Sequence, residues 1–181
     1  MAITFGFYNS VGGDRVYNAV QMSSFFDGVL TDGVFEAIGT SFVVRQSSGM
    51  NVIIGAGRAW FDHTWTVNDA DLVLGIGDAH PTLPRIDVAV IEVDASNAIR
   101  SNSVKIIAGT PASSPVPPDL IDTEEKHQYS LAQIYVGAGV TSIYTADITN
   151  TVGTYLCPFV TVPMAGGGGG GAAVLETQVF S

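Results

Sequence analysis

Cysteine, basic residues and histidine are all scarce in this sequence, and each scarcity excludes a class of chemistry. Cys157 is the single cysteine among 181 residues, so neither an internal disulfide nor a thiolate metal cluster can form within one chain. Its expected role is that of a small buried apolar residue. Seven Lys and Arg stand against seventeen Asp and Glu, a formal charge of −10. Such a chain repels phosphate backbones and has few cations to exchange for counterions, so nucleic acid is not an expected partner. No apolar run reaches the roughly 20 residues of a transmembrane helix. Met1 is followed by neither a basic n-region nor a continuous apolar h-region, and a soluble protein made in a cytoplasm is expected, without membrane insertion. Charged residues make up only 13% of the chain, against about 25% in a usual soluble domain. A surface with so few charges suits burial in an assembly.

Catalytic and metal-binding patterns are missing as well. His63 follows Asp62 at a predicted hairpin turn, His80 precedes Pro81, and His127 follows Glu124-Glu125-Lys126. The last two are expected in solvated loops, and no HExxH spacing is present. Residues 68–71 alternate oxygen donors but lack the Gly and the closing Glu of an EF-hand loop. Gly55-Ala56-Gly57 has no third glycine and no following helix to cradle a phosphate. No serine lies in a GxSxG elbow. Neither an enzyme nor a metal or other cofactor is expected. One alternative binding chemistry stands out: Trp60, Trp65 and Tyr129 could offer aromatic faces to a sugar ring, although tryptophans across a hairpin are also ordinary packing partners.

Hydrophobic residues make up 46% of the chain, ample for the core of one compact domain with extensions. Asn18 can cap a helix over residues 18–30, about 18 Å long. Ala19, Met22, Phe25, Phe26, Val29 and Leu30 recur on it at helical spacing, giving one face built for burial. A turn follows at Gly33. From residue 41 the period becomes that of strands: 42–44, 50–54, a hairpin over 58–68 turning at Asp62-His63, and 72–74. The segment 85–94 is predicted as a central strand covered on both faces, returning antiparallel through 103–108. Residues 109–118 hold four of the eight prolines and are predicted to cross the surface in extended form. Strands resume at 130–136 and 143–148. Gly166 to Gly171 form a flexible tether, and Val174, Leu175, Val179 and Phe180 beyond it are apolar enough to dock on a partner. The expected fold is mainly β: an N-terminal arm and short amphipathic helix (1–40), an antiparallel β-sandwich (41–163), and a Gly-rich C-terminal extension (164–181).

The same landmarks, taken in order, resemble a known family. They are Phe7-Tyr8-Asn9-Ser10, Tyr17-Asn18-Ala19, the run from Met22-Ser23-Ser24-Phe25 through Phe26-Asp27-Gly28, and Gly33-Val34-Phe35. Ser48-Gly49-Met50, Gly57-Arg58-Ala59-Trp60, Arg85-Ile86-Asp87, the 109–115 loop and Leu131-Ala132-Gln133-Ile134 follow. Each is weak alone, and their ordered combination over residues 5–148 resembles the N-terminal module of bacteriophage tail proteins that join a baseplate or tail tip to fibres and receptor-binding parts. The resemblance implies a structural subunit of the virion, synthesised in the bacterial host's cytoplasm, that supports host attachment. It also implies a homo-oligomer, with a trimer as first choice, and contacts with other tail or baseplate proteins and with a host cell-surface receptor. The helix stripe Met22, Phe25, Phe26, Val29 and Leu30 would then be the oligomer interface. Phe5, Phe7 and Tyr8 of the arm, with Val174, Leu175, Val179 and Phe180, would grip neighbouring proteins. Relatives of this kind continue into a receptor-binding part, whereas this sequence stops soon after its tether, so an adaptor is expected. The alternative is a module binding host glycan through Trp60, Trp65 and Tyr129.

Overall fold

The computed structural model describes residues 11–13 and 17–162. One short helix, α1 (Ala19–Ser23), precedes strands β1 (Gly33–Val34), β2 (Val44–Gln46), β3 (Asn51–Ile54), β4 (Gly57–Phe61), β5 (Thr64–Asn68), β6 (Leu72–Gly75), β7 (Arg85–Asp94), β8 (Ser101–Ile107), β9 (Lys126–Val136) and β10 (Ile148–Asn150). The strands form three antiparallel sheets with orders β1-β4-β5, β10-β9-β7-β8 and β2-β3-β6. The fold is mainly β, as the change of period after residue 40 predicts.

β7 lies between β9 and β8, and every residue on it except Ile86 is buried. Alternation alone would bury one face; here both faces carry apolar side chains because the strand is central. Four charged residues sit on this buried strand, and all are partnered. Arg85 donates through Nε to Asp87 Oδ1 at 2.8 Å and through Nη2 to Asp87 Oδ2 at 3.1 Å. Its remaining donors reach the carbonyls of Asp78 at 2.7 Å and Gly77 at 2.6 Å. Asp87 Oδ1 also accepts the Gly109 N–H at 2.9 Å. A Cβ on Gly109 would lie 2.0 Å from the Ile86 carbonyl oxygen, so the proline-rich segment can approach β7 only as glycine.

Glu92 sits among Lys105 Nζ at 2.6 Å, Lys126 Nζ at 3.7 Å and the Gln128 amide at 2.6 Å, and Asp94 meets Lys126 at 2.7 Å. Burial by itself would push the Glu92 carboxyl up, but Lys105, Gln128 and Lys126 together hold it below the ordinary glutamate value of 4.5. A carboxylate lowered on folding stabilises the protein above its unfolded pKa, and that contribution disappears as pH falls through the folded value. Acid titration of Glu92→Gln should therefore show a shallower loss of stability below about pH 4.5 than the parent chain. Parallel curves would show that the network does not govern the acid limb.

β9 begins at Lys126, four residues before the predicted start, because Gln128 and Lys126 pair with Glu92 and Asp94 across the ladder. His127 is thus a strand residue and not a solvated loop residue. The predicted strand at 42–44 also shifts: Ser41 and Phe42 take φ of 52° and 58°, and pairing starts only at Val44. That left-handed turn drives the fully buried Phe42 ring against Gly57, where a Cβ would stand 2.6 Å from it. The expected turn at Gly33 is instead strand β1, paired with β4.

Side-chain amides stitch the sheets where backbone pairing stops. Asn150 accepts from the Val44 N–H at 2.7 Å and donates to the Val44 carbonyl at 3.0 Å, reproducing a ladder pair between β10 and β2. Asn102 on β8 donates to the hydroxyls of Thr64 and Thr66, at 2.8 and 2.9 Å, on β5. One hydrophobic cluster fills the interior, with Phe42, Phe61, Ile91, Leu131, Ile134 and Ile143 as its large members. Cys157 belongs to it with 0% exposure, and burial pushes its thiol up to about 12. The cysteine is the packed apolar residue expected of it.

Candidate docking surface

The helix entry follows its sequence signal. Asn18 Oδ1 accepts from the Gln21 N–H at 2.9 Å, and Gln21 Oε1 accepts from the Asn18 N–H at 3.1 Å, a reciprocal capping box. The helix is shorter than the predicted 18–30 stretch. The hydroxyls of Ser23 and Ser24 bond back to the Val20 and Gln21 carbonyls, which competes with continued helix. After α1 the chain tightens into a 3-10 turn, Phe26–Gly28. None of the residues in α1 is buried. Met22 is 43% and Phe26 40% exposed, Phe25 is exposed, and Val29 and Leu30 are half-buried on the way to β1. Of the stripe predicted for burial, Met22, Phe25 and Phe26 therefore face outward, whereas Val29 and Leu30 are partly covered within the chain.

The turn is fixed to the β4–β5 hairpin beside it. His63 Nδ1 lies 2.7 Å from Asp27 Oδ1, and the Phe26 and Trp60 rings meet with centroids 5.4 Å apart. Asp62 and His63, with φ of 47° and 62°, make the two-residue turn expected at that position, of the kind whose twist suits a tight hairpin. Trp60 pairs directly with Trp65, and Arg58 with Val67. The four share the outer face of the hairpin, since cross-strand partners project the same way. Trp60 is 8% exposed and Trp65 is 70% exposed. Phe26, Trp65 and Val67 thus form one apolar surface around Trp60.

Tyr129 does not join them. Its ring stacks on Phe61, centroids 3.8 Å apart and 13° from parallel. Phe61 neighbours Trp60 in the strand and so projects to the opposite face. The Tyr129 hydroxyl donates to Asp62 Oδ2 at 2.7 Å, and burial, followed by that hydrogen bond and then by the Asp62 charge, raises its pKa. The aromatic trio considered for sugar stacking is split between the two faces of the sheet, with Trp65 alone well exposed.

The remaining imidazoles are engaged locally. His80 Nδ1 accepts from the N–H groups of Thr82 and Leu83, at 3.3 and 3.1 Å. His127 Nδ1 lies 2.7 Å from Asp122 Oδ1, and its Nε2 lies 3.8 Å from Asp62 Oδ1. Burial, reinforced by the Asp62 charge, raises the Asp32 carboxyl above its ordinary value. The Asp32 charge therefore opposes folding at neutral pH, an opposition relieved as pH falls through its raised folded pKa. Among the described residues, no three His, Cys, Asp or Glu side chains converge as a metal ligand set, and no helix is long and apolar enough to cross a membrane.

A cleft of about 630 Å³ lies between residues 117–120, β9 and residues 155–158, with Tyr155 exposed on its rim. The sequence predicts the proline-rich connection but not the hollow beneath it, because that hollow depends on where residues 155–158 return. Phe5, Phe7, Tyr8, Val174, Leu175, Val179 and Phe180, the expected partner-gripping residues, lie outside the described residues. Comparison of the chain with protein-family models, with curated proteins and with solved structures gives no match.

Proposed function

We propose that this chain is a structural subunit of a bacteriophage tail: a baseplate, tail-tip or minor tail protein acting as an oligomeric adaptor between neighbouring tail proteins. The observation that carries the reading is the outward apolar surface of Phe26, Trp65 and Val67 around Trp60, in a protein whose own core is filled by other residues. Large apolar side chains grouped on a surface mark a site of association. The ordered sequence landmarks supply the tail context, and several have structural work in the fold: Arg85 and Asp87 tie β7 to the loops at 77–78 and 109.

In this reading the protein acts by docking, without turnover. The three sheets serve as a sandwich-like body that holds the helix and hairpin face toward symmetry mates, three copies assembling around it. The arm and the C-terminal segment grip neighbours in the virion, and host attachment follows from the assembled tail. Phe26→Asp places a carboxylate in that face and should convert the oligomer to monomers. Light scattering behind size exclusion, at about tens of micromolar where mass action favours assembly, reads the result. A monomeric parent with an unchanged variant would remove the oligomer claim. Locating the chain in purified particles by cryo-electron microscopy tests the tail assignment. The glycan reading rests on the exposed Trp65 ring, and it requires saccharide binding that Trp65→Ala abolishes.

A further inference from the structure

The surface proposed for assembly lies beside the place where the described chain ends. Thr31 donates its N–H to the Thr161 carbonyl at 2.9 Å, and the Thr161 N–H donates to the Thr31 hydroxyl at 2.8 Å. Leu30, the residue before Thr31, donates to the Phe26 carbonyl at 2.8 Å. One peptide link and two short hydrogen bonds therefore separate Phe26 from Thr161, and the described chain ends one residue further on, at Val162. The sequence continues through Gly166 to Gly171 into AAVLETQVFS. A glycine-rich linker of about twelve residues, the number from Val162 to Val174, has a root-mean-square span of ~20 Å, which would give the apolar segment a millimolar effective concentration at this surface.

Charge singles out the same pairing. Arg58 lies on the outer hairpin face beside Trp60, Trp65 and Val67, is exposed, and has no ion-pair or hydrogen-bond partner for its guanidinium among the described residues. In a chain of net charge −10, residues 172–181 carry a single charged side chain, Glu176, flanked by Val174, Leu175, Val179 and Phe180. An apolar segment with one central carboxylate complements an apolar face with one free guanidinium.

We propose that residues 172–181 cover the Phe26, Trp65 and Val67 surface of their own chain, with Glu176 against Arg58, and are displaced when the subunit assembles. The proposal rests on the reading of this face as the assembly surface. It makes the C-terminal segment a guard of the interface as well as an anchor for a partner.

Acrylamide quenching of tryptophan fluorescence tests it, because Trp60 is buried and Trp65 carries the accessible signal; Trp65→Phe supplies the control. Fractions with monomer mass are measured at sub-micromolar concentration. The full chain should be quenched at least about twofold less than a chain lacking residues 172–181. E176K should resemble the truncation, and R58E/E176K should regain protection. Equal quenching of full and truncated chains overturns the proposal. Protection that vanishes on dilution together with dimer mass, or a full chain oligomeric at every concentration, places the segment on a second copy and overturns the within-chain form. The adaptor reading fails on a different observation, the absence of the protein from tail particles, which leaves the quenching result standing.

Discussion

Asp87→Asn is expected to lower the free energy of unfolding by about 3–5 kcal/mol, the range for removing one partner of a buried ion pair. The side chain of Asp87 is 0% and that of Arg85 7% exposed, so no water is at hand to replace the lost carboxylate. Asparagine keeps the shape, and its amide oxygen can still accept the Gly109 N–H, but it presents no charge to the guanidinium. Arg85 Nε could still donate to that oxygen, but Nη2 would face an amide NH2 where it now meets Asp87 Oδ2, and the buried guanidinium would be left without a countercharge. A small domain has about 5–15 kcal/mol of total stability, so the variant should be close to unfolding at 37 °C. Urea denaturation should show a lower midpoint at unchanged slope. The double variant Arg85→Met, Asp87→Leu should cost less than Asp87→Asn alone, since it leaves no unpaired charge behind. Costs that simply add would show that the pair is not coupled as the geometry indicates.

The residues of that pair were legible in the sequence only as a pattern. Arg85-Ile86-Asp87 opens the strongest predicted strand, and the alternation there placed β7 at the centre correctly. It could not show that Arg85 and Asp87, two apart and so on one face, point into the protein and meet the 77–78 and 109 loops; that depends on contacts distant in sequence. The β4–β5 hairpin was readable because Asp62-His63 is a local turn between β-rich runs. The Asn18 cap was readable for the same reason, being a three-residue arrangement. The sequence reads Phe42 as a strand residue because β propensity describes a side chain on a pleated surface, whereas burial against Gly57 goes with a left-handed backbone. His127 reads as a loop residue because Glu124, Glu125 and Lys126 precede it, whereas in the structure Lys126 is neutralised across the ladder by Asp94 and Glu92. Of the docking surface, the helix stripe was visible from its period. Its continuation onto Trp65 and Val67 was not, since it needs Phe26 to fold down on Trp60.

Gly33→Ala should be the second most damaging of these changes, costing about 3 kcal/mol, the upper part of the overpacking range. A Cβ on Gly33 would lie 2.5 Å from Val160 N, 2.6 Å from the Phe159 carbonyl carbon and 2.7 Å from the Pro158 oxygen. All three are backbone atoms, so no rotamer change relieves the contact, and residues 158–160 must move off β1. That movement strains the Val34 N–H bond to Pro158 at 2.8 Å and the Val160 N–H bond to Val34 at 2.9 Å. Cys157, the residue before Pro158, is fully buried in the native chain and is the single thiol, so it reports on the opening directly. Labelling by a disulfide reagent should accelerate about a hundredfold if local opening becomes easier by that energy. Gly28→Ala is the matched control: no atom lies within 4 Å of its added Cβ, and both midpoint and labelling rate should stay unchanged. Opening here would also free Thr161 from Thr31, moving the exit of the C-terminal segment away from Phe26. Gly33→Ala should therefore expose Trp65 to quencher even with residues 172–181 present. Unchanged labelling and an unchanged urea midpoint would show that the 158–162 segment is not held against β1, and the route from Thr161 to the docking surface would lose its footing.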